Sequence, residues 1–260
     1  DSGDRWQGYQ TAALDKVGGL PFGVDPARWP RCTDCGQAMS HIAQFVHDKD
    51  RLDLRHPGRV LTLWQCEHDP GMCETWSATS GANCAMVGDV NEAFAGLAAP
   101  PDERTAVFPE ARAIAWTEGD DGVTQGMLPE FFDEVSSRGL DPAWRDPEGF
   151  TTRLGAVPTF IQSSDEAPGA PWCFVGQLSN GEHINGSAPS ANDPDFGVQR
   201  AVNGTWELER QSGNEPKGWI VVDESGWYLP GPNFGDGGMA YLFLDATSEP
   251  PAACMFWQCG

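Results

Sequence analysis

Lysine is nearly missing from this chain. Lys16, Lys49 and Lys217 are the only three in 260 residues, and Lys plus Arg number 16 against 38 Asp plus Glu. The resulting formal charge of −22 argues against a general nucleic-acid binder, since little is present to neutralise phosphates, and anionic membranes are disfavoured for the same reason. No apolar run approaches the roughly 18 residues that a membrane-spanning helix needs. A signal-peptide pattern is also missing, as is an initial Met. The chain has no G-x-S-x-G, no P-loop, no dinucleotide fingerprint ahead of a helix and no H-E-x-x-H, so the familiar short signatures of hydrolase, nucleotide and zinc-protease chemistry do not apply. Its acidic turns, Asp120-Asp121 and Asp236 among glycines, lack the spacing of a calcium-binding EF-hand.

What is plentiful points to fold class. Thirty-one Gly and 21 Pro against 40% apolar residues suit many short elements joined by turns. Eleven Trp are present, each with a large ring to bury and one N–H to satisfy, so several should anchor a core. The expectation is a mainly β protein (β-rich α+β) with few short helices. Strands are expected at His41–His47, Val60–Trp64, Asn83–Gly88, over Ala106–Trp116, at Gly218–Trp227 and at the C-terminal end. Short helices are expected around Trp6–Leu14 and at Pro129–Arg138, the latter with acidic residues early and Gly139 at its end.

Three segments recur in one order. Lys16-Val-Gly-Gly-Leu-Pro is echoed by Arg153-Leu-Gly-Ala-Val-Pro, His41-Ile-Ala-Gln-Phe by Phe174-Val-Gly-Gln-Leu, and Val60-Leu-Thr-Leu-Trp by Met239-Ala-Tyr-Leu-Phe-Leu. The chain therefore reads as an internally duplicated, two-lobed β architecture, residues 1–140 and 141–260 packed as one unit. A polar insertion, Asn180–Pro216, is expected as loops in the second copy. Gln44 and Gln177 hold matching places in the two copies, where a buried Gln closing backbone hydrogen bonds explains the match as well as ligand binding does.

Four of the eight cysteines and four of the five histidines lie between Lys16 and Trp76. Cys32-x-x-Cys35-Gly36 is a knuckle that can place two sulfurs on one ion, and Cys66 with Cys73 forms a second, wider pair. Four thiolates from two loops make a closed tetrahedral zinc site, which is the structural and not the catalytic kind. His68 is a substitute ligand in that scheme. Disulfides, or reduced cysteines in a core, are the alternatives; a redox role needs a helix behind the C-x-x-C that the residues do not suggest. Cys84, Cys173, Cys254 and Cys259 fall in apolar strand contexts and are expected in the core. Asn185 and Asn203 open formal glycosylation sequons, but the cysteine usage of a chain this long fits the reducing cytoplasm.

The motifs K-V-G-G-L-P-F, C-x-x-C-G, H-I-A-Q-F, L-W-Q-C-E-H-D-P-G-M-C-E-T-W, R-L-G-A-V-P-T-F-I-Q, F-V-G-Q-L and G-D-G-G resemble the bacterial YwqG-like family, over most of the chain from about Lys16 to Leu244. The resemblance implies a mainly β, duplicated architecture and brings no active-site residue with it. The first half is similar, more distantly, to the programmed-cell-death-2 proteins, dedicated chaperones for a ribosomal protein. That likeness implies a metal-binding role for Cys32, Cys35, Cys66 and Cys73. The leading expectation is a non-catalytic interaction protein, an acidic scaffold for a basic protein or peptide, chaperone- or immunity-like. A hydrolase with an Asp/Glu/His site between the lobes is a second reading, and a structural or assembly component a third. The charge also suits a merely solubilising surface.

Overall fold

A computed structural model describes residues 15–69, 72–90, 94, 96–102, 104–108, 110–113, 115–119, 123–124, 126–127, 129, 132, 152–184, 197–202, 205–209, 221–223 and 226–260. The helices expected at Trp6–Leu14 and Pro129–Arg138 lie outside the described residues, apart from isolated positions of the second. The protein is mainly β: among the described residues, 14 strands form three antiparallel sheets, and a 3-10 turn spans Pro26–Arg28.

The first sheet holds β1 (Lys16–Val17), β2 (Ser40–Val46), β3 (Arg59–Gln65), β4 (Asn83–Asp89) and β5 (Ala111–Arg112), in the order β4-β3-β2-β1-β5. The second begins with β6 (Arg153–Leu154) and β7 (Cys173–Ser179) and is completed by β13 (Met239–Asp245) and β14 (Ala252–Gln258), in the order β14-β13-β7-β6. Between β7 and β13 the chain builds a third sheet from β8 (Gly181–Ile184), β9 (Gly197–Val202), β10 (Thr205–Glu209), β11 (Val221–Asp223) and β12 (Gly226–Pro230), in the order β8-β12-β11-β10-β9. The insertion expected as loops thus carries strands. Conversely, of the strand pair or single long strand expected over Ala106–Trp116, the described residues form only Ala111–Arg112. Its partner β1 is only two residues long, because the chain turns away at Gly18 and Gly19, both at φ near +65.

The echoed segments occupy matching places, residue for residue. Lys16 pairs with Gln44 as Arg153 pairs with Gln177, and Gln44 faces Thr62 as Gln177 faces Tyr241. Both β2 and β7 carry a bulge two residues before the Gln, at Ile42 and at Val175, and the carbonyls of those residues accept from Gly18 N and Gly155 N, each at 2.8 Å. The next residue in each copy is also left-handed, Gly19 at φ 65 and Ala156 at φ 60. Each basic residue donates to a carbonyl four positions on, Lys16 to Leu20 and Arg153 to Val157. Each Gln side chain is fully buried, and its Oε1 accepts a backbone N–H six residues after the basic position: Phe22 N at 2.9 Å and Thr159 N at 3.0 Å.

The glutamines therefore fasten a loop to its own sheet in both halves. Gln44→Met and Gln177→Met keep the volume but leave a buried N–H without an acceptor. Each should cost about 1–3 kcal/mol in urea unfolding, and the two costs should add to within about 0.5 kcal/mol because the sites are separate. A variant as stable as the parent would show that the Gln is not a fastener.

The two sheets face each other. Alternate residues from each, Ala43, Phe45, Leu61 and Leu63 against Leu178, Ala240, Leu242, Leu244 and Met255, form one shared core. The opposite face of each sheet is also covered: Trp64 lies under Trp29, Met39 and the cysteine loops, while Tyr241, Phe243 and Phe256 lie under Phe160, Ile161 and Trp172. Burial on both faces is why β3 reads as a continuous apolar run and not as an alternation. The edge strands β4 and β14 lie side by side, and Trp257 N donates to Trp76 O across that seam at 3.2 Å.

Candidate metal centre

The outer face of the first sheet carries the cysteines. Residues 30–39 form a small ribbon: Met39 N donates to Pro30 O, Cys32 N to Gln37 O and Gly36 N to Cys32 O, each at 2.9 Å. Gly36 at φ 71 makes the turn that brings Cys35 back beside Cys32. Cys66 follows β3 directly and extends its ladder, its N–H donating to Ala82 O at 2.9 Å. Cys73 closes a turn on Asp69 O at 2.9 Å. The two loops are stitched together by Thr33 N to Gly81 O at 3.0 Å, Thr33 Oγ1 to Ser80 O at 2.6 Å, and Glu74 N to Asp34 Oδ2 at 3.1 Å. Trp29 floors the site, donating Nε1 to Met39 O at 2.8 Å with its ring edge-on to Trp64 at 4.8 Å.

The Sγ atoms of Cys32, Cys35, Cys66 and Cys73 all lie within 4.8 Å of one another. All eight cysteines are free, and the Cys35–Cys66 separation of 3.6 Å is far beyond a disulfide's roughly 2 Å. It is close to the about 3.8 Å edge of a tetrahedron whose metal–sulfur bonds are about 2.3 Å. The geometry therefore fits one metal ion in a closed four-sulfur cage. The four expected ligands are brought together; His68, the expected substitute, is exposed and supplies its backbone instead. Backbone N–H groups point at the sulfurs, from Gln37 to Cys35 and from His68 and Asp69 to Cys66.

The sulfurs cannot all ionise unaided. Burial raises the Cys35 thiol, but the Gln37 N–H and the neighbouring thiols of Cys66, Cys32 and Cys73 outweigh it and hold it below the ordinary value. Burial pushes Cys66 up to about 11 against the N–H groups of His68 and Asp69. Cys73 is pushed up further by burial and by the other three thiols. One negative charge is easily placed here and more are not, unless a cation sits among them.

Among the described residues this is the single group of three or more Cys, His, Asp or Glu ligand atoms close enough to share an ion. The clustered histidines separate. His41 is buried under Trp64, with Nδ1 at 3.1 Å from Gly19 O. His47 accepts from Leu54 N at 3.0 Å, and His56 is exposed beside Asp89. Glu67 lies where the first sheet meets the loop before β13, its Oε1 accepting from Gln65 Nε2 at 2.9 Å and Asn233 N at 3.1 Å; burial raises its carboxyl to about 7.

The other four cysteines correct the expectation of core placement. Cys173 is exposed, and Cys84, Cys254 and Cys259 are half-buried. Cys84 and Cys254 sit on the edge strands and Cys173 and Cys259 at strand ends, where neighbours cover one side only.

No protein-family model and no curated protein sequence matches this chain. Of the described residues, no helix is long and apolar enough to cross a membrane.

Proposed function

We propose that Cys32, Cys35, Cys66 and Cys73 hold one structural zinc ion, and that the chain is a non-catalytic interaction protein whose acidic β scaffold binds a basic protein or peptide. The observation that carries this reading is the cage of four sulfurs within 4.8 Å of one another. Four protein ligands leave no open coordination position for a substrate or an activated water, so the ion is a staple. Zinc suits four thiolates better than a hard cation such as magnesium or calcium does. Bound there, it supplies the positive charge that lets all four sulfurs ionise.

The partner reading rests on the formal charge of −22, which attracts a Lys- or Arg-rich molecule and repels nucleic acid. The missing catalytic motifs, and the distant resemblance of the first half to the programmed-cell-death-2 chaperones, support the same assignment. Eight free thiols suit the reducing cytoplasm.

Metal analysis of protein purified without added metal or chelator tests the staple. About one zinc per chain is expected, with four thiols becoming reactive when a chelator removes it. Metal-free protein with those thiols unreactive would mean oxidised cysteines and would end the zinc reading.

A further inference from the structure

We infer that the cysteine turn is the docking surface for that partner, and that it accepts a short arginine-rich segment with an apolar residue between its arginines. The inference rests on the acidic-scaffold reading above and adds a place and a chemistry.

Met72 immediately precedes the ligand Cys73 and is 77% exposed, the most exposed large apolar side chain among the described residues. Four positions on, Trp76 is 38% exposed, its ring edge-on to Trp257 at 6.4 Å. Single exposed apolar residues are ordinary, but this pair stands on either side of the ligand Cys73. Met72 N and Cys73 N both donate to Asp69 O, while the Trp76 carbonyl is held by Trp257 N. A flexible, polarisable thioether adapts to the shape of a partner's side chain.

The surroundings choose the partner's charge. Asp34, Asp69 and Glu74 are exposed around this turn, and among the described residues none of them has a Lys or Arg within ion-pair distance. Arg31, the nearest knuckle cation in sequence, turns its Nη1 back onto Gly36 O at 3.1 Å. A guanidinium can meet these carboxylates in bidentate fashion and lie against the half-exposed Trp76 ring, which an ammonium does less well. The partner's apolar side chain then covers Met72.

The test uses the full chain and a short fluorescein-labelled peptide of alternating Arg and Leu, followed by anisotropy at moderate salt. Zinc content of each variant is measured so that a lost knuckle is recognised. Met72→Asn, and the triple change Asp34→Asn, Asp69→Asn, Glu74→Gln, should each weaken binding by about tenfold or more, whereas Met72→Leu should leave it within about twofold. The control triple Asp50→Asn, Glu118→Gln, Glu166→Gln makes the same charge change at exposed positions elsewhere and should leave binding within about twofold. Equal weakening by both triples, with Met72→Asn silent, overturns the docking site and leaves the acidic-scaffold reading standing. Failure of the parent protein to bind the peptide at low salt overturns both. Concentration-dependent self-association lost in Met72→Asn would assign the surface to a second copy of this chain and overturn the arginine-rich occupant.

Discussion

Cys66→Ser is expected to abolish stoichiometric zinc and to lower the melting temperature by about 10 °C. Cys66 contributes one of the four caged sulfurs and directly follows β3, so loosening the cage there should be felt in the first sheet. In small zinc-finger peptides the metal is worth about 10–16 kcal/mol and is the whole of folding. Here the two sheets bury a core of their own, so the knuckle should unravel while the sandwich persists. A loss of about 3–5 kcal/mol is expected, and in a chain of this size each kcal/mol moves the midpoint by about 2–4 °C. Trp29 and Trp64, in edge-on contact below the sulfurs, should report the change in near-ultraviolet circular dichroism. Cys254→Ser, on an edge strand away from the cage, should change neither quantity. If Cys66→Ser keeps its zinc and melts with the parent, the four-thiolate site does not exist.

The second large effect is on acid stability and belongs to His41. Its ring is fully buried, and Gly19 O can only accept, so Nδ1 carries the proton of the neutral imidazole. Among the described residues Nε2 has no hydrogen-bond partner. Burial first, and then the charge of Lys16, lower its pKa from 6.5 to about 3. In the unfolded chain the ring takes up its proton near pH 6.5, in the folded protein only near 3. Between those values the unfolded state holds more protons. The neutral ring's contribution is therefore intact above pH 6.5 and disappears as the pH falls towards 3. The full swing is of order 5 kcal/mol.

His41→Phe is the informative substitution, because Phe174 occupies the matching position in the second half. The change should cost little at neutral pH and should flatten the fall in unfolding free energy between pH 6.5 and 4. Parent and variant share the same four cysteines, so the difference between their curves separates the imidazole from any effect of the cage. Parallel curves would remove His41 from the account.

Much of this arrangement is legible in the residues, because the repeated features are ones that chemistry marks plainly. A basic residue, a Gly followed by a small residue, and a Gln at similar spacing announce a turn and its fastener, and they align Lys16 with Arg153 and Val60 with Met239 in the register that the strands adopt. The cage is legible for the same reason: Cys32 and Cys35 on a Gly turn, then Cys66 and Cys73, have few uses besides an ion or a disulfide. Three features are not fully legible. The third sheet is legible only in part: the strand expected at Gly218–Trp227 overlaps Val221–Asp223 and the start of Gly226–Pro230, but the Gly, Asn and Ser content around Gly197–Val202 outweighs the period-two alternation of Thr205–Glu209. The half-buried cysteines are misjudged because an apolar strand looks the same whether it lies in the middle of a sheet or at its edge. The ties from Thr33 and Asp34 to the far side of the knuckle join positions about forty residues apart, and no local spacing encodes them.

The matched halves differ most where β2 passes to β3 and β7 to β13. In the first half residues 47–58 make the connection; in the second the chain leaves after Ser179 and returns at Met239. Yet Asn180 N donates to Gly238 O and Gly231 N donates to Asn180 O, so the excursion from residue 181 to residue 230 begins and ends at one hydrogen-bonded neck. Loop 231–238 stays with the sandwich, with Phe234 in the shared core and Asn233 on Glu67. The third sheet is thus a cassette, mounted on a hairpin that closes without it. Its length and sequence can drift, be exchanged or be lost while the fastener at Gln177 and the caged sulfurs remain untouched.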